Sequence, residues 1–146
     1  MATPFPFASG DVLTAAELND IGEWVAFTPS WDNLTVGNAV QSFYYAQVNG
    51  VLFIQGRITF GSTTAISGSY IRFSSPVGDI NNQWVGNAQM RNDGVATRLG
   101  CTIASGNNVL IQYVTTSLNM ANVTATAPFT FGENDWIRLT LTARLS

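Results

Sequence analysis

The chain has 146 residues, a net charge of −3 and only 10% charged residues, where an ordinary soluble domain has about 25%. It contains no histidine and no lysine, which removes serine–histidine and cysteine–histidine nucleophiles, histidine metal sites, phosphate-cradling lysine loops and lysine Schiff bases together. One cysteine excludes an internal disulfide, and the six arginines, spread along the sequence, form no basic run that would attract nucleic acid. The length is that of a single domain able to bury a core without a disulfide or metal staple. With 46% hydrophobic and 12% aromatic residues, the surface has to be built from Ser, Thr, Asn, Gln and apolar groups. Such a surface is either covered in an assembly or suited to a neutral polar partner such as a glycan. No catalytic residue, metal or cofactor is expected. No uninterrupted apolar run exceeds four residues, too short for a membrane helix, and Met1 to Phe7 lacks the positive start of a secretory signal.

Taken in chain order, the first segment is an aromatic–proline arm, with Pro4, Phe5, Pro6 and Phe7 holding the backbone extended. Thr14 and Glu17 have the spacing of a capping box, and Leu13 and Leu18 are placed for the hydrophobic staple around it. The spacing predicts a short α-helix from Ala15 to about Trp24, with Leu18, Ile21 and Val25 on one stripe. A helix of this length is marginal in water and needs a packing partner. That partner is either the chain's own β domain or the same helix of neighbouring subunits, and residues 1–28, with Phe5, Phe7, Leu13, Leu18, Ile21 and Val25, are the element available for attachment and oligomerisation.

From residue 29 onward the pattern is β. Gln41 to Val48 ends at the hairpin signal Asn49-Gly50. Val51 to Phe60 returns, with Leu52, Ile54, Ile58 and Phe60 on one face. Tyr70 to Ser74 is a short strand stopped by Pro76. Gln83 to Arg91 leads through Asn92-Asp93-Gly94 into Val95 to Ala104, and Gly106-Asn107-Asn108 turns into Val109 to Thr116. After a polar stretch from Ser117 to Pro128, Trp136 to Leu145 alternates most cleanly, with Ile137, Leu139, Leu141, Ala143 and Leu145 inward. About seven or eight short strands at near-regular spacing predict an all-β fold, an antiparallel β-sandwich of jelly-roll type over residues 29–146, behind the N-terminal arm and helix.

Individual residues carry further expectations. Cys101 sits in an alternating run and reads as a small buried hydrophobe. Asp79, Asp93, Glu133 and Asp135 read as solvated turn carboxylates, the lesser alternative being a calcium ion shared by Glu133 and Asp135. Tyr44 and Tyr45 must lie on opposite faces of one strand. Trp24, Trp31, Trp84 and Trp136 can stack on sugars, because an aromatic face complements the C–H face of a pyranose, with core or interface packing as the competing reading for each. Trp31, Tyr44 and Trp84 are the candidate glycan or interface contacts.

The string Phe7-Ala8-Ser9-Gly10-Asp11-Val12-Leu13-Thr14-Ala15-Ala16-Glu17-Leu18-Asn19 resembles the opening of many tailed-bacteriophage fibre and minor tail proteins, where a G-D-x-L-T-A-A-x-L-N segment begins a short helix. The likeness continues through Phe27-Thr28-Pro29-Ser30-Trp31, Thr35-Val36-Gly37-Asn38, the aromatic strand at Phe43-Tyr44-Tyr45 and Gly61-Ser62-Thr63-Thr64. It spans residues 7 to 75. The resemblance implies a virion structural protein, made in the bacterial cytoplasm and usually homotrimeric. Its N-terminal part would dock on other virion proteins, and its β domain would point outward. It also implies that Leu13, Leu18, Ile21 and Val25 carry the trimer or attachment contact. Many members have a long fibrous shaft, which this chain lacks. The expected role is therefore a compact tail-fibre or tail-appendage adhesin with a host-surface glycan as candidate partner, the alternative being a capsid decoration protein that cements the phage head. A depolymerase-like glycosidase would need two carboxylates about 5–9.5 Å apart, and the sequence marks no such pair. Neither nucleic acid nor membrane is an expected partner.

Overall fold

The computed structural model describes Val12, Thr14 and residues 21–146, the side chains of residues 81 and 82 apart. Its regular structure is β throughout: β1 (Val25–Ala26), β2 (Trp31–Asp32), β3 (Leu34–Thr35), β4 (Val40–Val48), β5 (Val51–Thr59), β6 (Ala65–Ile66), β7 (Ile71–Ser74), β8 (Ile80–Asn92), β9 (Ala96–Gly106), β10 (Asn108–Val114), β11 (Met120–Asn122) and β12 (Trp136–Arg144). The seven strands that the alternation predicts are β4, β5, β7, β8, β9, β10 and β12. The five additional ones are two or three residues long, too short to show a period of two.

One antiparallel sheet takes ten of the strands, in the order β1-β4-β5-β12-β8-β9-β10-β7-β2, with β11 on the far side of β10. Three tight turns fix its registers. Asn49 and Gly50, both at positive φ, bring Val48 opposite Val51, as the hairpin signal requires. Gly94 and Gly106, also at positive φ, close the β8–β9 and β9–β10 hairpins. Leu52, Ile54, Ile58, Phe60, Ile137, Leu139, Leu141 and Ala143 are all buried, so the inward face of β5 and β12 is the predicted one. Phe73, Met90, Val109 and Ile111 add to the core from other strands, and Val123 from the segment that follows β11. Gly56 in mid-β5 is dictated by close approach. A side chain there would run into the ring of Phe43 on β4, its cross-strand partner.

The sheet curls, and residues 25–32 close it. β1 pairs with the edge of β4, Val25 opposite Tyr45 and Ala26 opposite Tyr44. Six residues later β2 pairs with β7, Trp31 opposite Phe73. One segment thus joins the two edges of the sheet, and the seam is filled with rings. Phe27 lies edge-on to Phe43 and Tyr45, at 5.8 and 5.7 Å between centroids. Trp31 meets Phe43 and Phe73 at 5.8 and 5.2 Å, and its indole N–H donates to Gln41 Oε1 at 2.7 Å.

This seam corrects the predicted helix where it can be seen. Residues 15–20 lie outside the described residues, but Ile21 and Gly22 form a turn, with Gly22 at φ +75°, and Val25 is already in a strand. A left-handed glycine ends a helix, and the open edge of β4 offers Val25 and Ala26 the backbone partners that a last helical turn would have supplied. Ile21 and Val25 accordingly share no helical stripe.

A second, two-stranded sheet pairs Leu34 of β3 with Ile66 of β6; both side chains are buried. Its flanking turns are clasped together. Asn38 Oδ1 accepts from the backbone N–H and the hydroxyl of Thr63 at 2.9 and 2.8 Å. Thr63 Oγ1 in turn accepts from the Asn38 N–H at 3.0 Å, and the Thr64 hydroxyl donates to the Val36 carbonyl at 2.7 Å. The strings Thr35–Asn38 and Gly61–Thr64 therefore have a structural use: each turn satisfies the polar groups of the other.

Two residue expectations are overturned. Asp135 is no solvated carboxylate but is 3% exposed. Its Oδ1 accepts from the Asp93 N–H and its Oδ2 from the Gly132 N–H, both at 2.7 Å, tying the β8–β9 turn to the loop before β12. Cys101 is half-buried rather than buried, because β9 directs Thr102 and Ala104 inward and leaves position 101 on the outer face. Tyr44 and Tyr45 do divide between faces: Tyr44 is exposed, while Tyr45 packs against the core.

Candidate functional site

The outer face of the sheet is where strand register turns scattered residues into neighbours. One row crosses seven strands: Tyr44, Gln55, Thr140, Asn87, Cys101, Gln112 and Asn122, each opposite the next. Neighbouring strands lie about 4.8 Å apart, so this is a continuous strip of amides, hydroxyls and one thiol with no charge in it. The strip is ordered at its end, where Gln112 Nε2 donates to Asn122 Oδ1 at 2.8 Å. Burial pushes the Cys101 thiol above its ordinary pKa, which keeps it protonated and this row neutral.

The next row along the strands is Ser42, Arg57, Arg138, Gln89 and Leu99. Two arginines thus stand directly opposite each other on β5 and β12. In the row after it, Trp136 of β12 lies between Thr59 and Arg91. The guanidinium carbons of Arg57 and Arg138 sit 5.0 and 4.8 Å from the centroid of the Trp136 ring, within cation–π range. Arg138 Nε donates to Gln89 Oε1 at 2.9 Å. An open groove of about 440 Å³ runs beside this cluster, bordered by Asn87, Gln89, Leu99, Gly100, Arg138 and Thr140. Among the described residues the only ion pair is Arg72 with Asp32, at 2.6 Å and away from this site; that carboxylate raises the Arg72 pKa through their hydrogen bond. No carboxylate among the described residues pairs with Arg57, Arg91 or Arg138.

The residues singled out from sequence fall elsewhere. Phe5, Phe7, Leu13 and Leu18 lie outside the described residues. Ile21 is an exposed turn residue, and Val25 is half-buried in β1. Trp31 belongs to the ring cluster of the seam. Tyr44, 39% exposed, begins the uncharged row, and Trp84, 38% exposed, is paired with Ala104 next to the bulge in β8. The three aromatics form no common cluster. Among the described residues no group of carboxylate and thiol side chains is arranged to hold a metal ion, and Asp135 is already engaged by backbone amides. No helix among the described residues is long and apolar enough to cross a membrane.

The sequence marks Trp136 as one of four tryptophans able to stack on sugars but gives Arg57 and Arg138 no role beside it. The further signal is that Arg57 and Arg138 both occupy outward positions of alternating strands, and the pairing of β5 with β12 was needed to make them meet. Comparison of the chain with protein-family models, with curated proteins and with solved structures finds no match.

Proposed function

We propose that the chain is a structural protein of a tailed-phage particle, a compact tail-fibre or tail-appendage adhesin. In this reading it assembles as a homotrimer, attaches to other virion proteins through its N-terminal segment, and presents the β domain to a host-surface glycan. The resemblance of residues 7–75 supports the virion part of the reading. The observation that carries the binding part is the uncharged row from Gln55 to Asn122. Amides and hydroxyls at regular spacing offer paired donors and acceptors to sugar hydroxyls without the desolvation cost of charge. We also read the curled sheet as a jelly-roll-like sandwich. Phe43 of β4 and Phe73 of β7, from opposite ends of the strand order, meet at 5.7 Å across the core, which supports that reading.

The test is location and binding together. Gold-labelled antibody against the full chain should mark the tail of the particle in electron micrographs, and the purified protein should bind host cells. Label spread over the head, with no cell binding, would replace this reading with that of a capsid decoration protein.

A further inference from the structure

We propose that the outer-face cluster of Arg57, Arg138 and Trp136, with the groove beside it, binds the carboxylate of an acidic saccharide. This deepens the glycan-binding reading and rests on it. The starting point is an unfavourable arrangement. Like charges directly opposite on adjacent strands destabilise a sheet, and a chain with only six basic residues places two of them so. Arg91 adds a third guanidinium on the far side of Trp136. All three arginines are exposed, and no carboxylate among the described residues neutralises them. An anion shared by the opposed pair converts the repulsion into binding free energy.

The local geometry suits a carboxylate. The cation–π contact of each guanidinium with the indole restrains both side chains and spares part of the ordering entropy that binding otherwise costs. Gln89 engages Nε of Arg138, and no described residue engages its terminal nitrogens, the edge that accepts a carboxylate bidentately. A saccharide fits the remaining surroundings better than a polyanionic strand does. The arginines cover one point of the face and do not extend into a track. The groove leading away is bordered by Asn87 and Thr140, neutral partners for hydroxyls. Leu99, 67% exposed, offers an apolar surface for the C–H face of a sugar ring. The volume of about 440 Å³ lies within the range of small-molecule sites.

Full-length protein labelled with ¹⁵N is titrated with trigalacturonate, with neutral galactotriose, with sodium sulfate and with a single-stranded oligonucleotide, following the Trp136 Nε1 and arginine Nε resonances. Trigalacturonate should shift Trp136, Arg57 and Arg138 and bind at least tenfold more tightly than galactotriose. R57Q and R138Q should each lose that preference with no drop in thermal midpoint, since each removes one of two opposed charges; R57K should retain only part of it. Equal binding of the acidic and neutral trisaccharides would overturn the proposal while leaving the glycan-binding reading standing. Binding of neither would sink both. Sulfate or oligonucleotide binding as tightly as trigalacturonate would also overturn it, leaving a general anion patch.

Discussion

The carboxylate of Asp135 accepts from two backbone amides on separate loops, one of them more than forty positions earlier in the chain. Removing it leaves two N–H donors beside a buried side-chain position without their acceptor. Asp135→Ala should therefore cost about 2–3 kcal/mol, and Asp135→Asn, which keeps one acceptor oxygen, roughly half as much; urea midpoints measure both. Gly132 is a near neighbour in the same turn, but the Asp93 amide lies 42 positions earlier and is invisible to a local reading, which is why the residue passes for an ordinary turn carboxylate. Cys101 titrates in the opposite sense from a paired acid. Burial raises its folded pKa, so the unfolded chain loses its proton first. The contribution to stability is fully present below the ordinary thiol pKa and is lost as pH rises through the raised folded value. Thermal midpoints should fall across that alkaline window in the native protein, less so in Cys101→Ala. Iodoacetamide should alkylate the folded thiol more slowly than a free one at the same pH.

At the level of elements, alternation identified all seven long strands and the inward faces of β5 and β12, because each has one face in the core and the other outside. It did not identify β1 or β2. Each is two residues long, and what makes it a strand is the unfilled edge of β4 or β7, not its own sequence. The predicted helix fails at residues 21–24 for the same reason: local spacing favours helix, while the sheet edge offers Val25 and Ala26 longer-range hydrogen bonds. Gly56 belongs to this scale too, since it exists for the Phe43 ring on the neighbouring strand. Gly56→Ala should displace that ring and loosen the seam that Phe27, Trp31 and Phe73 share with it. We expect a loss of about 2 kcal/mol or more, readable by urea denaturation, with a parallel change in near-ultraviolet circular dichroism from the disturbed ring cluster.

At the level of the whole molecule, a domain with 10% charged residues leaves little electrostatic repulsion to keep copies apart. If the assembly reading holds, light scattering of the purified chain at micromolar concentration should give a mass three times 15.7 kDa; a monomer would remove the trimer from the proposal. The sequence by itself determined the composition that leaves most enzyme chemistries without residues, the β class and the inward faces of its long strands. These are encoded locally, in residue inventory and in a period of two. Only the tertiary structure decided that residues 25–32 close the sheet, that Asp135 is buried, and that six scattered arginines include two facing each other over Trp136. Those features depend on which strands become neighbours and in what register. That outcome is set by edge pairing and core packing across the whole chain, and no window of sequence contains it.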